Sequence, residues 1–146
     1  MSMEVSFASA EIEIVMHATE DTRKLLSVIE SVFDIKPEAF TTSTVKGHFG
    51  NEIMLLRANL NSQQATGMAY KIAGMMGDAD RIRVHDNFEL YTDDRSSLHI
   101  RIGKQNLFEQ RVVLSQTDSL KIKLKTVRGF QPKSEIENYK NFFAQR

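Results

Sequence analysis

The chain has no cysteine and only two prolines among its 146 residues. Without cysteine, a disulfide framework, a thiolate nucleophile and a thiolate-ligated zinc or iron–sulfur centre are excluded. That composition fits a reducing compartment. Long apolar runs are also missing, and none approaches the roughly 20 residues that a membrane-spanning helix needs. Met1-Ser2-Met3-Glu4-Val5 holds no basic stretch ahead of an apolar block. No secretory leader is therefore expected, and the chain is read as cytoplasmic. Repeats, low-complexity tracts and Pro/Gly linkers do not divide it, so a single domain is expected over residues 1–146. A chain of this length can bury roughly 68–70% of its extended surface without a staple.

Net charge is zero, with 19 basic and 19 acidic residues. That balance argues against a polybasic coat but hides a split. From Leu98 onward ten basic residues stand against four acidic ones, a balance of +6, and the first 97 residues carry −6. Such a chain can present a basic face to a polyanion while the whole stays neutral.

Hydrophobic periodicity gives the element types. Val5 to Met16 alternates in part and reads as a strand. Thr19 is placed to cap a helix through Phe33, with Glu20 and Asp21 in its first turn and Leu25, Leu26, Ile29, Val32 and Phe33 as its apolar stripe. Thr41–Phe49 and Ile53–Leu60 read as a hairpin across the turn signal Gly50-Asn51. Asn61 or Ser62 caps a second helix, lined by Ala65, Met68, Ala69, Ile72 and Met76 and closed by Gly77. Asp78 to Arg95 fits strand and helix periods equally. Leu98, Ile100 and Ile102 mark a strand, and Val112–Leu114 is a further short apolar run. Leu120, Ile122 and Leu124 alternate with Lys121, Lys123 and Lys125, the cleanest period-two signal present. After the break at Gln131-Pro132, Ser134 and Glu137 form a capping box for a last helix near 134–145 with Ile136, Tyr139 and Phe143 inward. The expected fold is α+β: one sheet of about five or six mainly antiparallel strands with helices packed on one face.

Catalytic motifs are missing. His17, His48, His85 and His99 show no metal-ligand spacing, and phosphate loops and nucleophile elbows are absent. Asp78-Ala79-Asp80 and Asp93-Asp94 sit among turn residues, where capping explains them. No cofactor and no metal are expected.

Three segments carry a positive signal. In Lys46-Gly47-His48-Phe49-Gly50-Asn51 two glycines permit close backbone approach, while Lys46, His48 and Asn51 offer hydrogen-bond donors. A plain hairpin turn is the competing reading. In Leu120–Arg128, side chains on one face recur about every 6.6 Å. Lys121, Lys123 and Lys125 therefore form a basic row, extended by Arg128. An edge strand protected by lysines is the alternative. In Arg101-Ile102-Gly103-Lys104-Gln105-Asn106, Arg101 and Lys104 suit phosphate and Gln105 suits a base edge. Ordinary strand-end polarity is the alternative.

His17-Ala18-Thr19-Glu20-Asp21, Gly47-His48-Phe49-Gly50-Asn51-Glu52-Ile53 and Arg101-Ile102-Gly103-Lys104-Gln105 resemble the three signature blocks of an archaeal family of predicted RNA-binding proteins. The resemblance runs from about Val5 to Val127. It implies a fold like that of the ribosomal protein that binds 5S RNA, and a link by gene neighbourhood to the exosome and RNA processing. It also favours a helix within Asp78–Arg95. Two positions depart from the family pattern: Glu52 replaces a usual proline, and Gly103 a frequent aspartate. The resulting expectation is a non-catalytic RNA-binding module that contacts RNA phosphates and joins RNA-processing proteins. The alternatives are a protein–protein adaptor with a basic strand face, and a small hydrolase or nuclease.

Overall fold

Alternation along Phe7–His17 sorts its side chains onto two faces: Ala10, Ile12, Ile14 and Met16 are buried, while Glu11, Val15 and His17 are exposed. The computed structural model describes residues 5–47, 50–127 and 132–144. Among them, five strands form one antiparallel sheet: β1 (Phe7–His17), β2 (Phe40–Lys46), β3 (Glu52–Leu60), β4 (Ser97–Gly103) and β5 (Ser119–Thr126). Their order is β2-β3-β1-β5-β4. The helices are α1 (Thr22–Phe33), α2 (Ser62–Met75), α3 (Asp78–Asp86), α4 (Lys104–Phe108) and α5 (Pro132–Ala144). Leu25 and Ile29 of α1, Met68 and Ile72 of α2, Val84 of α3, Leu107 of α4 and Phe143 of α5 share one core with the buried strand residues. The α+β architecture expected from periodicity is the one observed.

Local chemistry sets the element ends, with several corrections to the expected boundaries. Asp21 rather than Thr19 caps α1, accepting from the Lys24 N–H at 3.1 Å. Glu20 turns back instead and accepts from the His17 N–H at 3.0 Å. Asn61 caps α2 in a reciprocal capping box with Gln64. Gly77 belongs to the start of α3, not the end of α2. The ambiguous stretch resolves to helix: α3 opens with Asp78 and Asp80, the charge a helix N-terminus favours. Val112–Leu114 is not a sheet strand; it makes single bridges, Met76 to Val112 and Ile102 to Leu114. Helix α4 begins where strand-end polarity was expected. Helix α5 starts at Pro132, ahead of the expected cap, and proline suits a first helical turn.

Helix α5 is integral to the core. The Tyr139 hydroxyl donates to Ser6 O at 2.8 Å and accepts from the Val127 N–H at 3.2 Å. Its ring and that of Phe142 pack on Phe7 at centroid distances of 5.2 and 6.0 Å.

Candidate nucleic-acid interface

The sheet's other face carries no helix among the described residues. By register it presents Arg57 and Asn59 of β3, Glu11 and Glu13 of β1, Lys121, Lys123 and Lys125 of β5, and His99 and Arg101 of β4. A shallow groove of about 630 Å³ runs across these strands. No strand turns a Phe or Tyr ring onto this face among the described residues, so beside the His99 imidazole the sheet offers chiefly charge and hydrogen-bonding capacity.

The lysine row is not edge protection. Strand β5 is interior, paired with β1 on one side and β4 on the other. Lys121 stands between Glu13 and Arg101, Lys123 between Glu11 and His99, and Lys125 between Ser9 and Ser97. Lys121 lies 3.8 Å from Glu13 and Lys123 lies 3.9 Å from Glu11. Arg57 holds Glu13 more closely, at 3.0 Å. Exposed pairs of this kind contribute only about 0.2–1 kcal/mol, so a competing phosphate can displace them. Among the described residues that line the groove, four cations (Arg57, Arg101, Lys121 and Lys123) stand against two carboxylates, and Lys125 follows on the same face.

Lys104 corrects the sequence expectation. Its side chain is only 2% exposed, and its Nζ donates to Val15 O at 2.7 Å and to Glu20 Oε2 at 3.0 Å. Asp118 completes the shell at 3.1 Å. The short helix α4 turns Lys104 inward beneath the end of β1, so it is spent on structure and is not available to phosphate. Gln105 is exposed on α4, past the end of β4.

The β2–β3 turn stands at the opposite sheet edge from β4. Gly50 adopts φ +81°, and its N–H donates to Gly47 O at 3.0 Å. A Cβ at Gly47 would meet the Asn51 carbonyl at 3.2 Å and Ile53 Cδ1 at 2.9 Å, so a larger residue there crowds the turn. Asn51 uses its backbone carbonyl to accept from the Gly47 N–H and does not take a positive φ. Lys46 pairs in register with Glu52, on the side opposite the lysine row. Lys46 and Asn51 therefore do not join that row. His48 and Arg128 lie outside the described residues.

A second turn borders β4. Asp93 Oδ1 accepts from the Arg95 and Ser97 N–H groups, both at 2.9 Å, and Oδ2 lies 2.8 Å from His99 Nε2. Burial alone would raise the Asp93 carboxyl. The hydrogen bonds from His99, Ser97 and Arg95, with the His99 charge, outweigh it and hold the group down at about 2. The Asp93-Asp94 pair is thus a turn device. Asp80 is likewise structural, accepting from the Leu114 N–H at 3.0 Å. Among the described residues, no three of His, Asp and Glu gather as a metal ion would need.

The residues that the sequence did not single out are Arg57, Glu11 and Glu13, which join the row only through strand register, and Gln116, which lines the surface beside Arg101. A family model described as RNA binding matches residues 9–126. The chain belongs to this RNA-binding family. The family match spans the sheet and α1–α4, and α5 lies beyond it. The chain is 29% identical over 126 residues to RNA-binding protein PAB1135 of Pyrococcus abyssi, an alignment covering 82% of this chain and 81% of that protein. It is similar in structure to the DUF54 protein AF2318 from Archaeglobus fulgidus, with TM-score 0.75, 25% identity and coverage of 93% of this chain and 99% of that one. The DUF54 protein SSO0741 from Sulfolobus solfataricus gives TM-score 0.72 at 26% identity, covering 91% and 97%. In this member of the RNA-binding family the end of β1, the start of β3 and the start of α4 meet at one end of the sheet. His17 pairs with Ile53, and Lys104 ties the third block to Glu20 of the first.

Proposed function

We propose that this chain is a non-catalytic module that holds the phosphate backbone of RNA along its helix-free sheet face, as an accessory of an RNA-processing assembly such as the exosome. The observation that carries the reading is the placement of Lys121, Lys123 and Lys125 on an interior strand, flanked by Arg101 and by Arg57 across β1. A lysine row in the middle of a sheet has no use against edge pairing, and alternate strand residues about 6.6 Å apart suit successive phosphates of a single strand. Membership of the RNA-binding family supports the ligand class, and the resemblance drawn from the signature blocks supports the assembly. The non-catalytic half rests on the structural employment of the candidate acids Asp80 and Asp93.

The test is RNA affinity across a salt series for the chain and its Lys121/Lys123/Lys125→Ser variant. Pull-down with and without RNase separates partners held through RNA from those held directly. A protein adaptor is the second reading, favoured by exposed Val15 and Val45 at the β2–β3 end of the same face. Partners that survive RNase, together with absent RNA affinity, would select it.

A further inference from the structure

The lysine row can hold phosphates, but no Phe or Tyr ring stands beside it on that sheet face among the described residues. Immediately past β4 the surface changes character. A hollow of about 520 Å³ lies between α3, the 88–91 turn and the 114–116 segment, within the roughly 300–1,000 Å³ typical of small-molecule sites. Its walls include Tyr91, Leu90 and Leu114, with Asn87 and Gln116 as amides and Arg83 as a cation. Leu90 is 83% exposed, the most exposed large apolar side chain among the described residues, and it stands at this hollow rather than alone. Asn87 Nδ2 donates to Arg83 O at 3.0 Å, which orients the amide and leaves Oδ1 as its accepting atom. Arg83 reaches Asp80 only at 3.6 Å, with its side chain 58% exposed.

Two residues join this hollow to the sheet groove. Arg101 and His99 line both. A strand of RNA tracked along Lys125, Lys123 and Lys121 meets Arg101 next, and there the floor turns from charged to apolar with amides.

We propose that this hollow is a base pocket: one unstacked base of single-stranded RNA lies against Tyr91, between Leu90 and Leu114, with Asn87 and Gln116 at its hydrogen-bonding edge and Arg101 on its phosphate. The proposal rests on the reading of the sheet face as an RNA backbone track and supplies the base contact that the track lacks. Ring stacking is sequence-tolerant, whereas amide contacts to base edges discriminate. Tyr91 therefore sets affinity for any base, and Asn87 and Gln116 set preference among bases.

The experiment compares an octamer of riboadenylate with a fully abasic ribose-phosphate octamer of equal charge, by fluorescence anisotropy across a salt series. The full chain should prefer the base-bearing octamer by roughly 5- to 150-fold, the worth of one stacked base. Tyr91→Leu keeps apolar volume and removes the ring; it should abolish that preference and leave the salt slope unchanged. Because Tyr91 is half-buried, Asn87→Ala at an exposed position provides a second test. It should narrow the difference between adenylate and uridylate octamers, again at constant slope. Equal affinity of the unaltered chain for both octamers, with a normal salt slope, would overturn the pocket and leave the backbone track standing. A preference that survives Tyr91→Leu in a folded variant would also overturn it, by placing the base elsewhere. Absence of any binding to either octamer would remove the RNA reading and the pocket together.

Discussion

Lys104 Nζ and Glu20 Oε2 lie 3.0 Å apart, joining the start of α4 to the turn between β1 and α1. With Lys104 only 2% exposed, its charge depends on Glu20, Asp118 and the Val15 carbonyl. Removing one partner of a buried ion pair costs about 3–5 kcal/mol, because the other charge is left uncompensated. Here the carboxylates reach solvent, so Lys104→Met should destabilise by about 2–3 kcal/mol, at or below the low end of that range. Urea unfolding measures it. The same variant, where folded, should keep the RNA salt slope unchanged, since Lys104 does not face the groove. A lost unit of slope with unaltered stability would restore Lys104 to the phosphate contacts.

Glu11 and Glu13 stand within the basic face, 3.9 Å from Lys123 and 3.8 Å from Lys121, where they would oppose a phosphate chain. The exposed pairs contribute little stability, so the repulsion of phosphate is the larger effect on binding. Glu11→Gln and Glu13→Gln should each raise RNA affinity by roughly 2- to 5-fold at low salt, as unit charges a few ångströms apart in a water-rich medium require. Anisotropy titration at two salt concentrations checks both the gain and its loss on screening. Weaker binding in either variant would mean that the carboxylates position the lysines rather than compete with RNA.

Asp93 ties the turn before β4 to His99, and its carboxyl sits near 2 instead of its ordinary 3.8. A carboxylate depressed in the folded state stabilises that state above its ordinary pKa, and the contribution fades as pH falls through the folded value. Asp93→Asn keeps an oxygen for the Ser97 and Arg95 N–H groups but not the charge facing His99. The stability gap between the two proteins should therefore shrink as pH falls from about 4 to about 2. Denaturant unfolding at several pH values measures it, and a gap that widened on acidification would contradict the assignment.

How much of this was legible in the sequence follows from the range of each interaction. The faces of β1 and β5 were legible because alternation is local: Leu120, Ile122 and Leu124 enter the core and the lysines leave it. Register was not. That Lys121 meets both Glu13 and Arg101 depends on pairing across the chain, and no local pattern encodes it. Lys104 was misplaced for the same reason, since Glu20 lies 84 residues away and a lysine after a strand reads as solvated. In α3, Val84 is buried and Ile82 is 58% exposed, so the alternating pattern that suggested a strand included a solvent-facing residue.

The lysine row itself gives the decisive measurement. Arg101, Lys121, Lys123 and Lys125 are adjacent in register on one open face. If each neutralises one phosphate of a single strand, log K falls against log salt at about −0.7 per contact, close to −3 in all. Replacing Lys121, Lys123 and Lys125 together by serine should remove about two units of that slope. Stability should move little for such surface changes, by about ±0.5 kcal/mol per site, although loss of the weak Glu11 and Glu13 pairs adds to it. The affinity loss should be similar for unrelated RNA sequences, because phosphate contacts position the strand without reading it. Because β5 is interior, its lysines have no edge-protection role, so an unchanged slope in a folded triple variant cannot be attributed to one. It would mean instead that RNA does not touch this face, and the adaptor reading would replace it.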